Sequence, residues 1–150
     1  MKQEDYVSYD VAKLLKEKGY NEPCDSVYTN VTLVMLDNRC ASEDWNHLPI
    51  LKNANLYTSA PSLWDAQKWL REEHNIHVDV GVAGDSSNDA DGNVCEEWTF
   101  WMFDIYTIDS LHHFDVEDNR EYSSYEQALN EGIKAALNFI KIEYNQNFED

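Results

Sequence analysis

Between residues 59 and 83 the chain reads SAPSLWDAQKWLREEHNIHVDVGVA, and at Asn75 its apolar period changes from 3.6 residues to 2. Upstream, Leu63, Ala66, Leu70 and His74 fall within one arc of a helix, with Trp64 and Trp69 on opposite flanks. Downstream, Ile76, Val78, Val80 and Val82 alternate with His77, Asp79, Gly81 and Ala83, as a half-buried antiparallel strand requires. Both ends of the helix are marked. Ser62 and Asp65 have the spacing of a capping box with Pro61 just before it, and Asn75 suits the left-handed position that closes a helix. The stretch therefore predicts a helix over 63–74 that feeds directly into a strand.

The same alternation of elements recurs along the chain. Ser8 is a candidate N-cap for a helix over about 9–18 that Gly19 closes, and Pro23 blocks its continuation. VYTNVTLVML, 27–36, is β-branched and reads as one strand, and NLYTSA, 55–60, reads as a returning strand. Residues 37–55 show no sustained period, and a short strand is suspected within them because a structureless stretch of that length is uncommon in a compact domain. EEWTFWMFDIYTID, 96–109, carries aromatics on both faces and predicts a strand that is central or covered on both sides. In 123–144, Ser124 caps toward Gln127, and Ala128, Gly132, Ala135 and Ala136 lie beside Leu129, Ile133, Phe139 and Ile140 on a helix. The order is helix, strand, strand, helix, strand, strand, helix. This is an α+β fold in one domain, 1–150, with a small antiparallel sheet and helices mainly on one face. DVAKLLKE at 10–17 is similar to DAQKWLRE at 65–72. A duplicated unit would explain this, but convergence between capped amphipathic helices is the simpler explanation.

Charge limits the partners. Eleven Lys and Arg against 29 Asp and Glu leave a net charge of −18, while an apolar content of 43% keeps the chain well inside the folding class. Such a field repels phosphate backbones and anionic membranes, so neither nucleic acid nor membrane is expected as a direct partner. A basic protein would be attracted, and the plainer alternative is that the charge serves solubility. Cys24, Cys40 and Cys95 form no CxxC pair, no secretory leader is read at the N-terminus, and no apolar window spans a bilayer. These readings point to reduced thiols in the cytoplasm.

SNDADGNVCEE, 87–97, resembles a calcium loop: counted from Ser87, Asp89 and Asp91 take the third and fifth places, Gly92 the bend and Val94 the apolar eighth. Its first ligand is a hydroxyl and its twelfth place is Trp98 instead of a bidentate Glu, and both flanks read as strands. A hairpin turn at Asp91 and Gly92 is the favoured reading. Asp85, Asp89, Asp91 and Glu96 remain as candidate ligands for weak binding of a hard cation. No His or Cys pair shows zinc spacing, and no nucleophile elbow, phosphate loop or dinucleotide fingerprint occurs, so no cofactor is expected. Asp104, on an otherwise apolar strand, is the one acid whose burial would suit catalysis. Trp64 and Trp69 cannot both face the core from opposite flanks, which makes them candidate partner anchors or the contact of a homo-oligomer.

SAPSLWDAQKWLREEHNIHV, followed about forty residues later by SYEQALNEGIKAAL, resembles a family of small acidic proteins common in gut bacterial genomes and their prophages. The resemblance covers most of the chain: LLKEKGY closes the first helix, SAP and WLRE mark the second, and YEQAL opens the last. It implies kinship and brings no established activity. The segment 85–93 is longer than the family pattern leads one to expect. The resulting functional expectation is a cytosolic binding protein, an adaptor, inhibitor or decoy for a basic partner, more readily than an enzyme. The alternative is a metal-dependent or carboxylate-based enzyme module using the 85–97 loop or Asp104.

Overall fold

The computed structural model describes residues 2–36, 43–47, 57–117 and 120–140. After a short 3-10 turn come α1 (Tyr9–Glu17), β1 (Ser26–Thr29), β2 (Thr32–Met35), β3 (Tyr57–Ser59), α2 (Leu63–His74), β4 (Ile76–Asn88), β5 (Val94–Thr107), β6 (His113–Phe114) and α3 (Tyr125–Phe139). The class is α+β and the pairing is antiparallel throughout. Among the described residues the strands divide into two sheets of three, ordered β2-β1-β3 and β4-β5-β6.

The helix ends follow their local signals. Ser62 Oγ accepts from the Asp65 N–H at 3.1 Å, Ser124 Oγ from that of Gln127 at 3.1 Å, and Gly19 and Asn75 close their helices at φ 92° and 57°. The single strand expected over 27–36 is instead a hairpin. Asn30 adopts a left-handed φ of 54°, which a short polar side chain tolerates, and the chain reverses there so that Thr29 pairs with Thr32. Most of the 37–55 segment, with Cys40 and the strand suspected there, lies outside the described residues. The helix read over 123–144 ends earlier, at Phe139, because Ile140 is already extended at φ −77° and ψ 116°. Within 43–47, Glu43 bridges Cys24 and the buried Asn46 ties two distant backbones together. The two helix-plus-hairpin units differ in topology: the first strand of one hairpin is central, β1, whereas in the other the second strand is, β5.

One buried cluster runs through all three helices and reaches both sheets. Ala128, Leu129, Gly132, Ile133, Ala136 and Leu137 form a stripe on α3 that lies on β4 and β5. Val11, Ala12 and Leu15 of α1 and Leu63, Ala66, Trp69 and Leu70 of α2 complete it. Each fully buried Leu or Ile contributes about 1.5–3 kcal/mol by removal from water, which is why α3, with three of them, anchors the second sheet. No helix among the described residues is long and apolar enough to cross a membrane.

Candidate functional site

β4 and β5 together form a hairpin that α3 covers only at its base. Residues facing α3 lose water there: Val78, Phe103 and Ile105 are buried, and Trp101 rests edge-on against Tyr125 at 5.4 Å. Farther out, from about Val82 on one strand and Thr99 on the other, the ribbon projects with most of its residues exposed. It ends in the acidic loop. Gly92 at φ 82° and a register shift after Ser87 turn the chain, and Asp89 organises the turn by accepting from the N–H groups of Asp91 and Asn93, each at 2.9 Å.

The candidate metal ligands Asp85, Asp89, Asp91 and Glu96 all lie in this loop and the strand ends beside it. Among the described residues no three His, Cys, Asp or Glu side chains gather as a metal site would need. Asp89 is engaged by the turn, Asp85 accepts from the Ser86 N–H at 2.8 Å, and Glu96 lies opposite Ser87 on the ladder. Hydrogen bonds from the Asn93 and Asp91 amides hold the Asp89 carboxyl below the usual carboxylate range. Its ordering of the turn is therefore complete above the ordinary Asp pKa and lost as pH falls through the lowered one. Asp89→Ala should abolish amide-exchange protection at Asp91 and Asn93 while leaving the melting temperature as it is, since the turn lies beyond the buried cluster. Protection retained in the variant would show that the ladder alone holds the turn.

Asp104 is exposed, not buried, and faces Asp79 across the ladder. Strand alternation puts it on the face away from α3, so the buried-acid expectation fails there. Trp69 is likewise corrected. It is only 4% exposed, because the segment after α1 lays Tyr20 against it at 5.3 Å while His74 closes the other side at 4.7 Å. Trp64, on the far flank of α2, is 42% exposed. Cys24 is buried, and that burial pushes its thiol up to about 12, which leaves it protonated and a poor nucleophile.

The outward face of the hairpin is the feature that sequence reasoning missed. Expected to be central or covered on both sides, β5 is central in its sheet, and among the described residues a helix covers one of its faces only. Its other face carries Trp98, Phe100, Met102, Asp104 and Tyr106 in one row. Trp98 is 38% exposed, and Phe100, Met102 and Tyr106 are half-buried. Opposite them on β4 stand Asp85, Ala83, Gly81, Asp79 and His77, so the middle of the row faces the two smallest side chains and lies open. Tyr106 packs at the base between His77 and His113, and Trp98 donates from Nε1 to Glu121 at 3.4 Å.

No family model matches this chain, and neither a curated protein nor a solved structure is similar to it. The site must therefore be judged on its own chemistry. Between Arg71 and Arg120 the chain carries thirteen Asp and Glu and no Lys or Arg, and the whole hairpin falls in that interval. The acidic run is legible in the amino-acid order, but only the fold shows that it coincides with an open aromatic row. A larger depression of about 820 Å³ lies elsewhere, at the starts of α1 and α3, bordered by Tyr9, Tyr28, Ser124 and Asn130. Several of its polar groups are already engaged: Asn130 exchanges bonds with the Ser8 backbone and hydroxyl at 3.0 Å, and Tyr28 Oη donates to the Val7 carbonyl at 2.7 Å. The hairpin face, with unsatisfied apolar area and unbalanced charge, is the stronger candidate.

Proposed function

We propose that the protein is an acidic binding protein whose β4–β5 arm receives a cationic partner, as an adaptor, inhibitor or decoy would. One observation carries this reading: an arm without a single Lys or Arg bears a partly exposed row of Trp98, Phe100, Met102 and Tyr106 bordered by Asp79, Asp85 and Asp104. Aromatic side chains supply contact area at low entropic cost and also take Lys and Arg on their faces, and the surrounding carboxylates steer a positive partner and reject a negative one. The field disfavours nucleic acid and anionic lipid. A cytoplasmic setting agrees with the exposed thiol of Cys95, and the resemblance to prophage and gut bacterial proteins makes a basic protein of host or phage the natural target.

Binding of fluorescent peptides tests this. A lysine-rich peptide should bind at low salt and weaken roughly tenfold or more by physiological ionic strength, whereas a glutamate-rich peptide of equal length should not bind. Trp98→Ala combined with Phe100→Ala should weaken the lysine-rich peptide without changing its salt dependence. Affinity indifferent to ionic strength, or equal binding of both peptides, would refute the proposal.

A further inference from the structure

In an antiparallel strand the N–H and C=O of one residue point to the same side. The carbonyl of Asn75 accepts from the Ile108 N–H at 3.2 Å, so it points toward β5. Trp101, which stands opposite Val82, exchanges both of its backbone bonds with Tyr122 instead, each at 2.9 Å. The even-numbered residues of β4 consequently turn their backbone groups away from β5. At Val78 this outward carbonyl is taken by Gln67 Nε2 of α2 at 2.7 Å. Beyond the reach of α2, Val80, Val82 and Gly84 turn their amides and carbonyls to the outer side of β4, where no strand among the described residues pairs with them, while the Ser86 N–H is taken by Asp85 Oδ1 at 2.8 Å. Of the usual protections of a sheet edge, this stretch has only the charges of Asp79 and Asp85. It holds no Pro and no Lys, and the register stays regular until Ser87.

We infer that this free edge of β4 is a strand-addition site, and that its occupant is an extended partner segment that alternates apolar with cationic residues. The inference rests on the reading of the arm as an acidic docking surface for a cationic partner and specifies how that partner is held. A strand laid antiparallel beside β4 places its outward side chains next to Asp79, Gly81, Ala83 and Asp85. Two carboxylates there select Lys or Arg, and the small residues between them leave the stems of those side chains room to reach the aromatic row. Its inward side chains fall beside Val80 and Val82, the latter 65% exposed, and are apolar for that reason. A second copy of the arm is the wrong occupant, because it would bring the same carboxylates together across the new ladder.

The test uses an octapeptide of alternating Lys and Val, the same peptide N-methylated on its Val amides, and an alternating Glu and Val control. The unmodified peptide should bind. N-methylation should weaken it roughly tenfold or more, because several backbone bonds of the new ladder are lost together. Val82→Pro removes one outward N–H without touching the bonds to β5 and should weaken binding in the same sense; the N-methylated peptide on the parent protein gives the same information if that variant folds poorly. Should both Lys peptides bind equally, the edge is not used and the acidic aromatic face alone stands. Should neither bind at low salt, both readings fall. Sedimentation showing dimers that Val82→Pro dissolves would make a second copy the occupant and overturn the inference.

Discussion

Gly132→Ala should lower the melting temperature, although alanine is the better helix former by about 1 kcal/mol. Gly132 lies in the middle of α3 where the helix meets the second sheet. A Cβ built there would stand 2.5 Å from Val78 Cγ1 and 3.0 and 3.2 Å from Phe103 Cγ and Cβ. Neither neighbour has space to yield, since Val78 and Phe103 are buried and a β-branched side chain is stiff at χ1. Overpacking of a filled core costs typically about 1–3 kcal/mol, sometimes more, and exceeds the helical gain. In a chain of 150 residues a net loss of about 1–2 kcal/mol moves the midpoint down by several degrees. Combining Gly132→Ala with Val78→Ala removes the clashing methyl, so the double variant should be more stable than the two single losses add up to. A midpoint at or above that of the parent in the single variant would mean that α3 can lift from the sheet at little cost.

Asn46→Leu should destabilise by about 2–5 kcal/mol, as much as deleting a large core side chain. The Asn46 side chain is buried and serves two separate backbones: Nδ2 donates to the Tyr20 carbonyl at 3.0 Å and Oδ1 accepts from the Ser59 N–H at 2.9 Å. Leucine fills the same volume yet leaves both backbone groups buried without partners. Asn46→Asp separates polarity from volume. The carboxylate keeps the Ser59 bond but sets a negative oxygen against the Tyr20 carbonyl, and protonation restores a donor. That variant binds its proton more tightly folded than unfolded, so it should gain stability relative to the parent as pH falls into mild acid. Thermal melts across that range decide the matter. A variant whose pH profile follows that of the parent would show that the amide is not bridging as described.

The two predictions rest on residues of different legibility. Gly132 stands out in the sequence among small residues on one side of the last helix, and the structure supplies the reason: only a missing side chain lets α3 close on Val78 and Phe103. Asn46 carries no signal, because its two partners lie 26 residues upstream and 13 residues downstream. The candidate site is legible in halves. Alternation along 96–109 puts Trp98, Phe100, Met102 and Tyr106 on one side of a strand, and the absence of Lys and Arg between Arg71 and Arg120 can be read directly. What cannot be read is that α3 covers the opposite face of that strand and leaves this one open.

Helix starts, the change of period at Asn75, the hairpin at Gly92 and the α+β class were all determined by the sequence alone, because capping and alternation act between residues a few positions apart. Only the tertiary structure decided that Trp69 goes inside and Trp64 stays out, that Asp104 faces water, that the strands divide into two sheets, and that one edge of β4 is unpaired among the described residues. Each of these depends on which distant element arrives to cover a given face or edge. Periodicity defines such a face without naming its neighbour.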